Sequence, residues 1–292
     1  MPVTSSPLRY PGGKTQLYSW VKHQISLNIP QTPIYIEPFS GGAGVALELL
    51  LNGDVERIVL NDLDPSIHSI WYSILNYSEE FIDLMKKSPI TLEEWNVQKA
   101  HLDAHKDNPY SVIGGFAAFF LNRTNVSGII SGGPIGGKKQ EGNYKINCRF
   151  NKDNLVKKIK AIAAHSESID LYNLDAEEFL NLCIREYPAE QSFIFLDPPY
   201  YKQGPNLYLK FNDHGKHESL CRRVLNLPNY HWILTYDFVE EIGDMYKAVN
   251  NKYIIQLRYS ANNKRKLKAS EYLFVSERTE VSSFGKVDLL NF

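Results

Sequence analysis

The chain has 292 residues, of which 43% are hydrophobic, 22% charged and 12% aromatic. This composition is typical of an ordinary globular protein. Lys and Arg total 32 against 33 for Asp and Glu, so the net charge of −1 points to no class of partner. The three cysteines, Cys148, Cys183 and Cys221, are widely spaced and form no CxxC pair. Their spacing argues against a disulfide scaffold and against a structural zinc site.

The sequence contains no recognisable membrane or export signal. No apolar run approaches the roughly 18 residues that a membrane helix needs. The N-terminus, MPVTSSPLRYPGGK, lacks the apolar stretch of a signal peptide. We therefore predict a cytoplasmic protein with no membrane partner. The length favours one core plus an inserted or appended lobe.

The first predicted elements form a compact βαβ unit. A strand, TPIYIEPF at 32–39, leads into a glycine-rich turn at 40–44 and an apolar helix at 45–53. A second strand, RIVLND at 57–62, ends in Asp62. A strand, a glycine turn and a buried helix in this order predict the opening of a doubly wound α/β domain. Such compact units are typical of nucleotide-binding proteins.

A helical segment without strand signals follows. Apolar residues recur at helical spacing at 67–75, 79–87, 92–102 and 112–121, which predicts an inserted helical lobe. Next comes a glycine-rich loop at 131–145. Eight Lys and Arg residues against two acids lie between Lys138 and Lys160. The lysines near the end of this segment would either contact phosphates or form the solvated face of a helix; they are Lys157, Lys158 and Lys160.

The α/β pattern returns in the last part of the chain. Strands are predicted at 168–175, 192–201 and 231–237, with helices at 176–187 and near 214–226. Two late strands near 253–259 and 271–276 complete the sheet. A second basic cluster, at 258–268, contains no acidic residue, and the sequence assigns no role to it.

A candidate catalytic turn follows the apolar strand SFIFL. Asp197-Pro198-Pro199-Tyr200 leaves the carboxyl end of that strand, the edge where open α/β sheets bind ligands. The two prolines fix an extended turn and leave acceptors facing the crevice. Asp197 and the Pro198 carbonyl can accept the two N–H groups of an exocyclic amine while Tyr200 stacks on its ring. Drawing both hydrogens out of the ring plane would localise the lone pair of the amine for attack on an electrophile.

Two other features indicate which residues would bind the electrophile. The glycine turn at 41–44 precedes a helix N-terminus, which favours an anionic group. Asp62 ends the second strand, where an acidic residue commonly binds ribose hydroxyls. Either feature alone is a weak signal, and their order together with the DPPY turn is more specific.

In these motifs the chain resembles the Dam-type DNA adenine N6-methyltransferases. The matching pieces are LRYPGGK (8–14), EPFSGGAG (37–44), LNDLDP (60–65), FFLNRTNVSG (119–128), LDPPYY (196–201) and EYLFVS (271–276). The resemblance implies a Rossmann-like, doubly wound S-adenosylmethionine-dependent methyltransferase fold. It implies a catalytic domain at 1–66 and 151–292 and a helical DNA-recognition insertion at 67–150. The implied reaction is site-specific methyl transfer to the N6 amine of a flipped-out adenine in double-stranded DNA, with no metal.

The same resemblance assigns residues to the donor and the catalytic site. Tyr10 and Lys14 would line the donor pocket, Asp62 would bind the donor ribose and Asp175 would lie beside its adenine. Asp197 would contact both donor and target base, and the catalytic set is Asp197, Pro198, Pro199 and Tyr200. The glycine motif adds the donor residues Glu37, Phe39, Gly41 and Gly42. Its last glycine, Gly44, stands one residue later than the usual FxGxG pattern, so the amide contacts of the turn are left open.

Sequence recognition would come from the basic loop. Arg pairs with guanine and Asn with adenine in the major groove, and lysines bind phosphates. The predicted DNA contacts are Asn122, Arg123, Asn125, Lys138, Lys139 and Arg149. For Arg123 the alternative is a cap at the end of an apolar helix. His214 and His217 are expected to be surface residues at a helix start. A cognate restriction endonuclease is a possible further partner.

Three other functions remain to be weighed. The same fold could methylate cytosine N4, an RNA base or a glutamine side chain, because the chemistry requires only two acceptors around an NH2 group. A DNA-binding specificity protein without turnover is another possibility, although the residues that the chemistry needs are all present. GGKT at 12–15 resembles the end of a phosphate-binding Walker loop, but Leu8 occupies the required glycine position and no strand precedes the segment. We reject a nucleoside triphosphatase for these two reasons.

Overall fold

The computed structural model of the protein describes residues 4–202, 213–257 and 270–291. The helices in these ranges are α1 (Tyr18–Asn28), α2 (Gly44–Leu51), α3 (Pro65–Asn76), α4 (Ser78–Lys87), α5 (Leu92–His105), α6 (Val112–Thr124), α7 (Lys152–Ala163), α8 (Ala176–Glu186), α9 (His214–Leu225) and α10 (Glu240–Met245). The strands are β1 (Ile34–Glu37), β2 (Arg57–Asn61), β3 (Ile169–Tyr172), β4 (Ser192–Leu196), β5 (His231–Asp237), β6 (Asn251–Leu257), β7 (Ser270–Val275) and β8 (Val287–Asn291).

Side-chain caps fix where several helices begin. Asp64 accepts a hydrogen bond from the Ser66 amide, and Pro65 occupies the first helical position of α3. Thr91 and Ser111 cap α5 and α6 in the same way, by accepting from the amide three residues on. Such caps satisfy amides that have no partner inside the helix. They explain why the helical segments predicted from apolar spacing begin close to the expected residues.

The eight strands form one sheet in the order β3-β2-β1-β4-β5-β7-β6-β8. Strand β4 is parallel to both β1 and β5, whereas β7 is antiparallel to β5 and β6, and β8 is antiparallel to β6. The order 3-2-1-4-5 is that of a Rossmann sheet. The predicted mixed α/β architecture with a central sheet is therefore confirmed. A strand was predicted near 271–276, but the antiparallel place of β7 between β5 and β6 was not.

The chain folds into two compact units. The first contains Met1–Thr15, Ser40–Asn52 and Leu60–Leu174, and the second Gln16–Phe39, Gly53–Val59 and Asp175–Phe292, as far as these residues are described. Strand β2 has residues in both units. The first unit takes in more of the chain than the predicted insertion at 67–150, and a DNA-recognition role for that insertion stays a prediction.

Each unit has its own apolar core. In the first, the rings of Phe81, Phe116, Phe119, Phe120 and Phe150 form a continuous set of edge contacts. In the second, every residue of β4 is buried, which agrees with the apolar sequence of this strand. None of the helices within the described ranges is long and apolar enough to span a membrane.

The structure corrects two sequence predictions and adds two elements. Helix α1 and strand β8 were not predicted. The strand predicted at 192–201 ends at Leu196, because Pro198 and Pro199 have no amide to donate to a neighbouring strand. His217 is buried instead of on the surface, and its Nδ1 is hydrogen-bonded to the Tyr236 hydroxyl. The basic cluster at 258–268 lies outside the described residues.

Candidate functional site

In the first unit, the glycine turn is hydrogen-bonded directly to Asp62, the acidic residue that follows β2. The Gly41 amide donates a 2.8 Å hydrogen bond to Asp62 Oδ2, and the Asp64 amide donates one of 2.9 Å to Asp62 Oδ1. The Ser40 amide donates to the Asn61 carbonyl at 2.9 Å. The turn and Asp62 are thus held together. The Gly41 amide binds the Asp62 carboxyl group and not an anionic group of a ligand.

Burial strongly affects the ionisation of Asp62. Its pKa rises from an ordinary value near 3.8 to about 7, first because of desolvation and then because of the negative charge of Asp64. The two amide hydrogen bonds favour the charged form and limit this rise. Asp62 as a whole residue is partly exposed. A carboxylate acceptor at this position is suited to binding hydroxyl groups.

Tyr10 packs against the same turn. A β-carbon built on Gly41 would lie 2.5 Å from two ring carbons of Tyr10, and one on Gly42 would lie 2.9 Å from its Cβ. The side chain of Ser6 also reaches this turn, where its hydroxyl donates to the Gly42 carbonyl at 2.6 Å. Lys14 follows in the same segment and is partly exposed. The structure therefore places Tyr10, Gly41, Gly42 and Asp62 together in the first unit.

In the second unit, the predicted catalytic turn leaves the carboxyl end of β4. Asp197 is partly exposed, and its Oδ1 accepts a 2.7 Å hydrogen bond from the hydroxyl of Thr235 on β5. Asp237 accepts the Tyr201 and Lys202 amides at 2.9 and 3.1 Å, and the Tyr200 hydroxyl donates to Glu271. Sequence analysis missed Thr235, Asp237 and Glu271. The polar residues at alternate positions of HWILTYD were the available signal for two of them.

The other predicted donor residues of the second unit lie at element ends. Glu37 ends β1, is buried and accepts a 2.9 Å hydrogen bond from the Tyr35 hydroxyl. Burial, together with the charges of Glu37 and Asp197, raises the pKa of Tyr35, so this phenol stays protonated. Asp175 caps α8 by accepting the Glu177 amide at 3.0 Å. Phe39 is partly exposed just beyond β1.

Two predicted DNA contacts are engaged inside the first unit. Asn122 is 1% exposed; its Oδ1 accepts the Arg9 amide at 2.9 Å, and its Nδ2 donates to the Arg9 and Gly128 carbonyls at 2.8 Å. Asn125 accepts from the Trp95 indole and donates to the Ile129 and Ile130 carbonyls. These amides hold the backbone in place, so the structure does not present them as base-contacting groups.

Arg123 lies in a cluster of like charges. It donates to the carbonyls of Pro7 and Arg149, and its Nε is buried without a partner in the described part of the chain. Burial and the nearby Arg9 and Arg149 lower its pKa to about 10. Lys158 lies close by and donates to the carbonyls of Thr4 and Ser6, so it is not part of a merely solvated face. After burial, repulsion by the neighbouring positive charges contributes to the lowered pKa of Arg123. Such a concentration of positive charge is suited to an anionic partner.

The glycine-rich loop at 131–145, which follows α6 in the chain, is largely exposed and basic. Lys138 and Lys139 are exposed, and Tyr144 is 65% exposed with the Arg149 guanidinium 5.9 Å from its ring centre. Gln140 braces the loop by donating to the Ile135 and Gly137 carbonyls and accepting the Ile146 amide. Cations and an exposed ring on a braced loop can contact phosphates and bases.

No group of three or more His, Cys, Asp or Glu residues in the described ranges could hold a metal ion. The site residues that the structure brings together in each unit are hydrogen-bond acceptors, aromatic rings and cations. Their chemistry is suited to binding hydroxyl groups, an amine and a polyanion.

Comparison with known proteins identifies relatives over most of the chain. A family model described as D12 class N6 adenine-specific DNA methyltransferase matches residues 10–260. The chain is similar to the Type II methyltransferase M.MjaIII of Methanocaldococcus jannaschii, with 25% identity over 215 residues, or 66% of this chain and 68% of that protein. Two structures of the rRNA methyltransferase AviRa from Streptomyces viridochromogenes match with TM-scores of 0.40 and 0.38 and 10% identity, covering 92% of this chain and 88% of those chains. Scores this low carry no argument about function.

Proposed function

Since the chain belongs to the D12 class N6 adenine-specific DNA methyltransferase family, we propose that its methyl donor is S-adenosylmethionine and its acceptor a flipped-out adenine. The enzyme methylates adenine in DNA at N6, and such chemistry requires a methyl donor. A duplex hides the N6 amine in the base stack, so the base must be extruded at a cost of a few kcal/mol. The observation that carries the proposal is Asp197, fixed by Thr235 at the carboxyl end of β4.

The first unit is proposed to bind one part of the donor. Asp62 is a partly exposed acidic residue beside the glycine turn and is assigned to the ribose hydroxyls. Tyr10 and Lys14 are assigned to the methionine end, with the ring of Tyr10 against the sulfonium. Gly41 and Gly42 are assigned to the donor with them, because a side chain at either position would collide with Tyr10 and displace its ring.

In the second unit, residues are assigned to the donor and to the target base. Glu37, Phe39 and Asp175 are assigned to the donor. When bound, S-adenosylmethionine supplies an electrophilic methyl group on a sulfonium sulfur. The carboxylates Glu37 and Asp197 lie near enough to Tyr35 to raise its pKa together, and their charge would stabilise a nearby cation.

Asp197 and the Pro198 carbonyl are proposed to accept the two N6 hydrogens while Tyr200 stacks on the adenine ring. Pro199 keeps the turn extended. With the donor bound, these acceptors would orient the N6 lone pair toward the methyl group that the donor supplies, and the proton that N6 gives up would pass to water. Alignment of the two reacting atoms is the main catalytic contribution, and neither a metal nor a covalent enzyme intermediate is required.

The basic loop of the first unit is proposed to bind DNA. Lys138 and Lys139 are assigned to phosphates, and Arg123 and Arg149 to DNA at the positive cluster. Asn122 and Asn125 are assigned a positioning role, because their amides hold Arg9 and the loop backbone. Phosphate contacts would make binding strongly salt-dependent.

A restriction partner is the final part of the proposal. M.MjaIII is named as a Type II methyltransferase. On this likeness we extend the proposal to a cognate restriction endonuclease, from whose cleavage the methylated sites would be protected.

Transfer of a labelled methyl group from S-adenosylmethionine to unmethylated duplex DNA tests the proposal. We expect incorporation by the wild type and none by Asp197→Ala, with DNA binding retained in the variant. Equal incorporation by Asp197→Ala would remove Asp197 from the catalytic role. No incorporation by the wild type would contradict S-adenosylmethionine as donor.

A further inference from the structure

Three side chains of β5 and β7 hold the turn that contains Asp197. Thr235 and Asp237 come from the carboxyl end of β5, and Glu271 comes from the start of β7. They contact the turn at Asp197, Tyr200 and the backbone of residues 201–202. The turn is therefore held at both ends and at its aromatic residue.

Thr235 fixes the carboxylate. Strand β4 runs parallel to β5 with Leu196 opposite Leu234, and Asp197 and Thr235 are the residues that follow this pair. Thr235 is fully buried, and its hydroxyl donates to Asp197 Oδ1 at 2.7 Å. A hydrogen bond to an ionised acceptor is stronger than one between neutral groups and also favours the ionised form.

Asp237 and Glu271 hold the rest of the turn. Thr235 and Asp237 point to the same face of β5 because side chains alternate along a strand. Glu271 lies directly opposite Asp237 in the antiparallel pairing of β5 with β7. Asp237 accepts two turn amides and Glu271 accepts the Tyr200 hydroxyl.

This arrangement brings like charges together at the edge of the sheet. Directly opposed charges of the same sign destabilise a strand pair. Asp237 and Glu271 are directly opposed in the pairing of β5 with β7, and Asp197 directly follows the neighbouring strand β4. Sheet packing alone does not require acidic residues at these positions. We therefore relate the three carboxyl groups to the turn, which each of them belongs to or contacts.

We propose that Thr235 and Glu271 are positioning residues of the methyl-transfer reaction. Thr235 holds the Asp197 carboxylate in the orientation that accepts the target amine, and Glu271 holds the ring of Tyr200 in the plane that stacks on the target base. The proposal rests on the function proposed above. It adds a specific requirement for the Thr235 hydroxyl and for an acceptor at position 271.

Single-turnover methylation of DNA by Thr235→Val and Thr235→Ser tests the first half. Thr235→Val keeps the shape but removes the donor, and we expect the rate to fall on the order of 100-fold, as misplacement of a reacting group can cause. Binding of DNA and donor should stay within about threefold, because only the carboxylate orientation is lost. Thr235→Ser retains a hydroxyl and should recover most of the rate.

Glu271→Ala and Glu271→Gln test the second half. Base flipping is measured with DNA in which 2-aminopurine replaces the target adenine, because its fluorescence rises when the base leaves the stack. Glu271→Ala should reduce the flipped signal, whereas Glu271→Gln keeps an acceptor for the Tyr200 hydroxyl and should preserve it.

Thr279→Val provides the matched control. Thr279 is also a buried threonine of the second unit, hydrogen-bonded to His231 and Ser276. We expect its loss to lower the melting temperature without the rate loss of Thr235→Val. Wild-type rates in Thr235→Val, or equal losses in Thr235→Val and Thr235→Ser, would overturn the proposal for Thr235. An unchanged flipped signal in Glu271→Ala would overturn it for Glu271. The proposed function itself fails only if the wild type transfers no methyl group in the same assay.

Discussion

The ring of Tyr10 fills the space beside Gly41 that a side chain at position 41 would need. A β-carbon there would stand 2.5 Å from Cε1 and Cζ of Tyr10, well inside van der Waals contact. The Gly41 carbonyl also accepts a 2.9 Å hydrogen bond from the Trp71 indole. The glycine turn, Tyr10 and α3 are therefore fixed together, and the form of the proposed donor pocket depends on the absence of one side chain.

Gly41→Ala should weaken donor binding. The added methyl group must displace the Tyr10 ring, and Gly41 has a φ of +45°, where L-residues lose about 1–2 kcal/mol. We expect affinity for S-adenosylmethionine to fall at least about tenfold by calorimetry, equivalent to about 1.4 kcal/mol. Gly53→Ala is the control, since Gly53 has a φ of +71° but no neighbouring atom within 4 Å of an added Cβ. Equal donor affinity in the two variants would contradict the steric argument.

Donor binding should strengthen as the pH rises through about 7. The pKa of Asp62 is about 7, so the group is protonated below this pH and ionised above it. Ribose hydroxyls donate to the ionised form, and affinity should therefore increase between about pH 6 and pH 8 and then level off. Asp62→Asn should remove the pH dependence. Asp64→Asn should move the midpoint to lower pH, because the charge of Asp64 raises the pKa of Asp62. A flat profile in the wild type would refute this role for Asp62.

Tyr144→Ala should weaken DNA binding. Stacking of one base on an aromatic ring contributes about 1–3 kcal/mol, so a loss of roughly 5- to 150-fold is expected in a fluorescence anisotropy titration. Tyr110→Ala is the control, because Tyr110 is 60% exposed but contacts His68 and Tyr72 instead of the basic loop. Lys139→Ala should reduce the slope of log affinity against log salt by about one. If Tyr110→Ala weakened binding as much as Tyr144→Ala, the loop would have no special role.

Asn122→Ala should destabilise the first unit. It would leave the amide and carbonyl of Arg9 and the carbonyl of Gly128 without their partner. Each buried polar group left unsatisfied costs about 1–3 kcal/mol, which a denaturant unfolding curve resolves. Full stability with a changed recognition sequence would instead support the direct base contact predicted from the sequence.

Local patterns predicted much of the fold. The sequence β1, glycine turn, α2 and β2 follows from apolar runs separated by glycines, and the helices α3 to α6 from apolar spacing with caps such as Asp64 and Ser111. The DPPY turn was expected after a fully buried strand, where β4 places it. Helix α1 was missed because its apolar residues do not form a distinct stripe along its sequence, and the place of β7 depends on pairings between residues distant in the chain.

The candidate site was predictable at residues that belong to short motifs. Asp62 and Gly41 were expected to serve one ligand, and their direct hydrogen bond became visible only in three dimensions. Thr235 and Glu271 lie in ordinary strand sequences far from Asp197 along the chain, and only the register of the sheet brings them to the turn. The Asn122 side chain looked available for DNA because a sequence does not show which amides the backbone has already engaged.

Nucleoside mass spectrometry of DNA treated with the enzyme tests the central claim most directly. Purified protein is incubated with S-adenosylmethionine and unmethylated duplex DNA of mixed sequence, and the DNA is digested to nucleosides. We predict N6-methyldeoxyadenosine with the wild type and none with Asp197→Ala. Methylated cytosine, or undiminished N6-methyldeoxyadenosine from Asp197→Ala, would contradict the account.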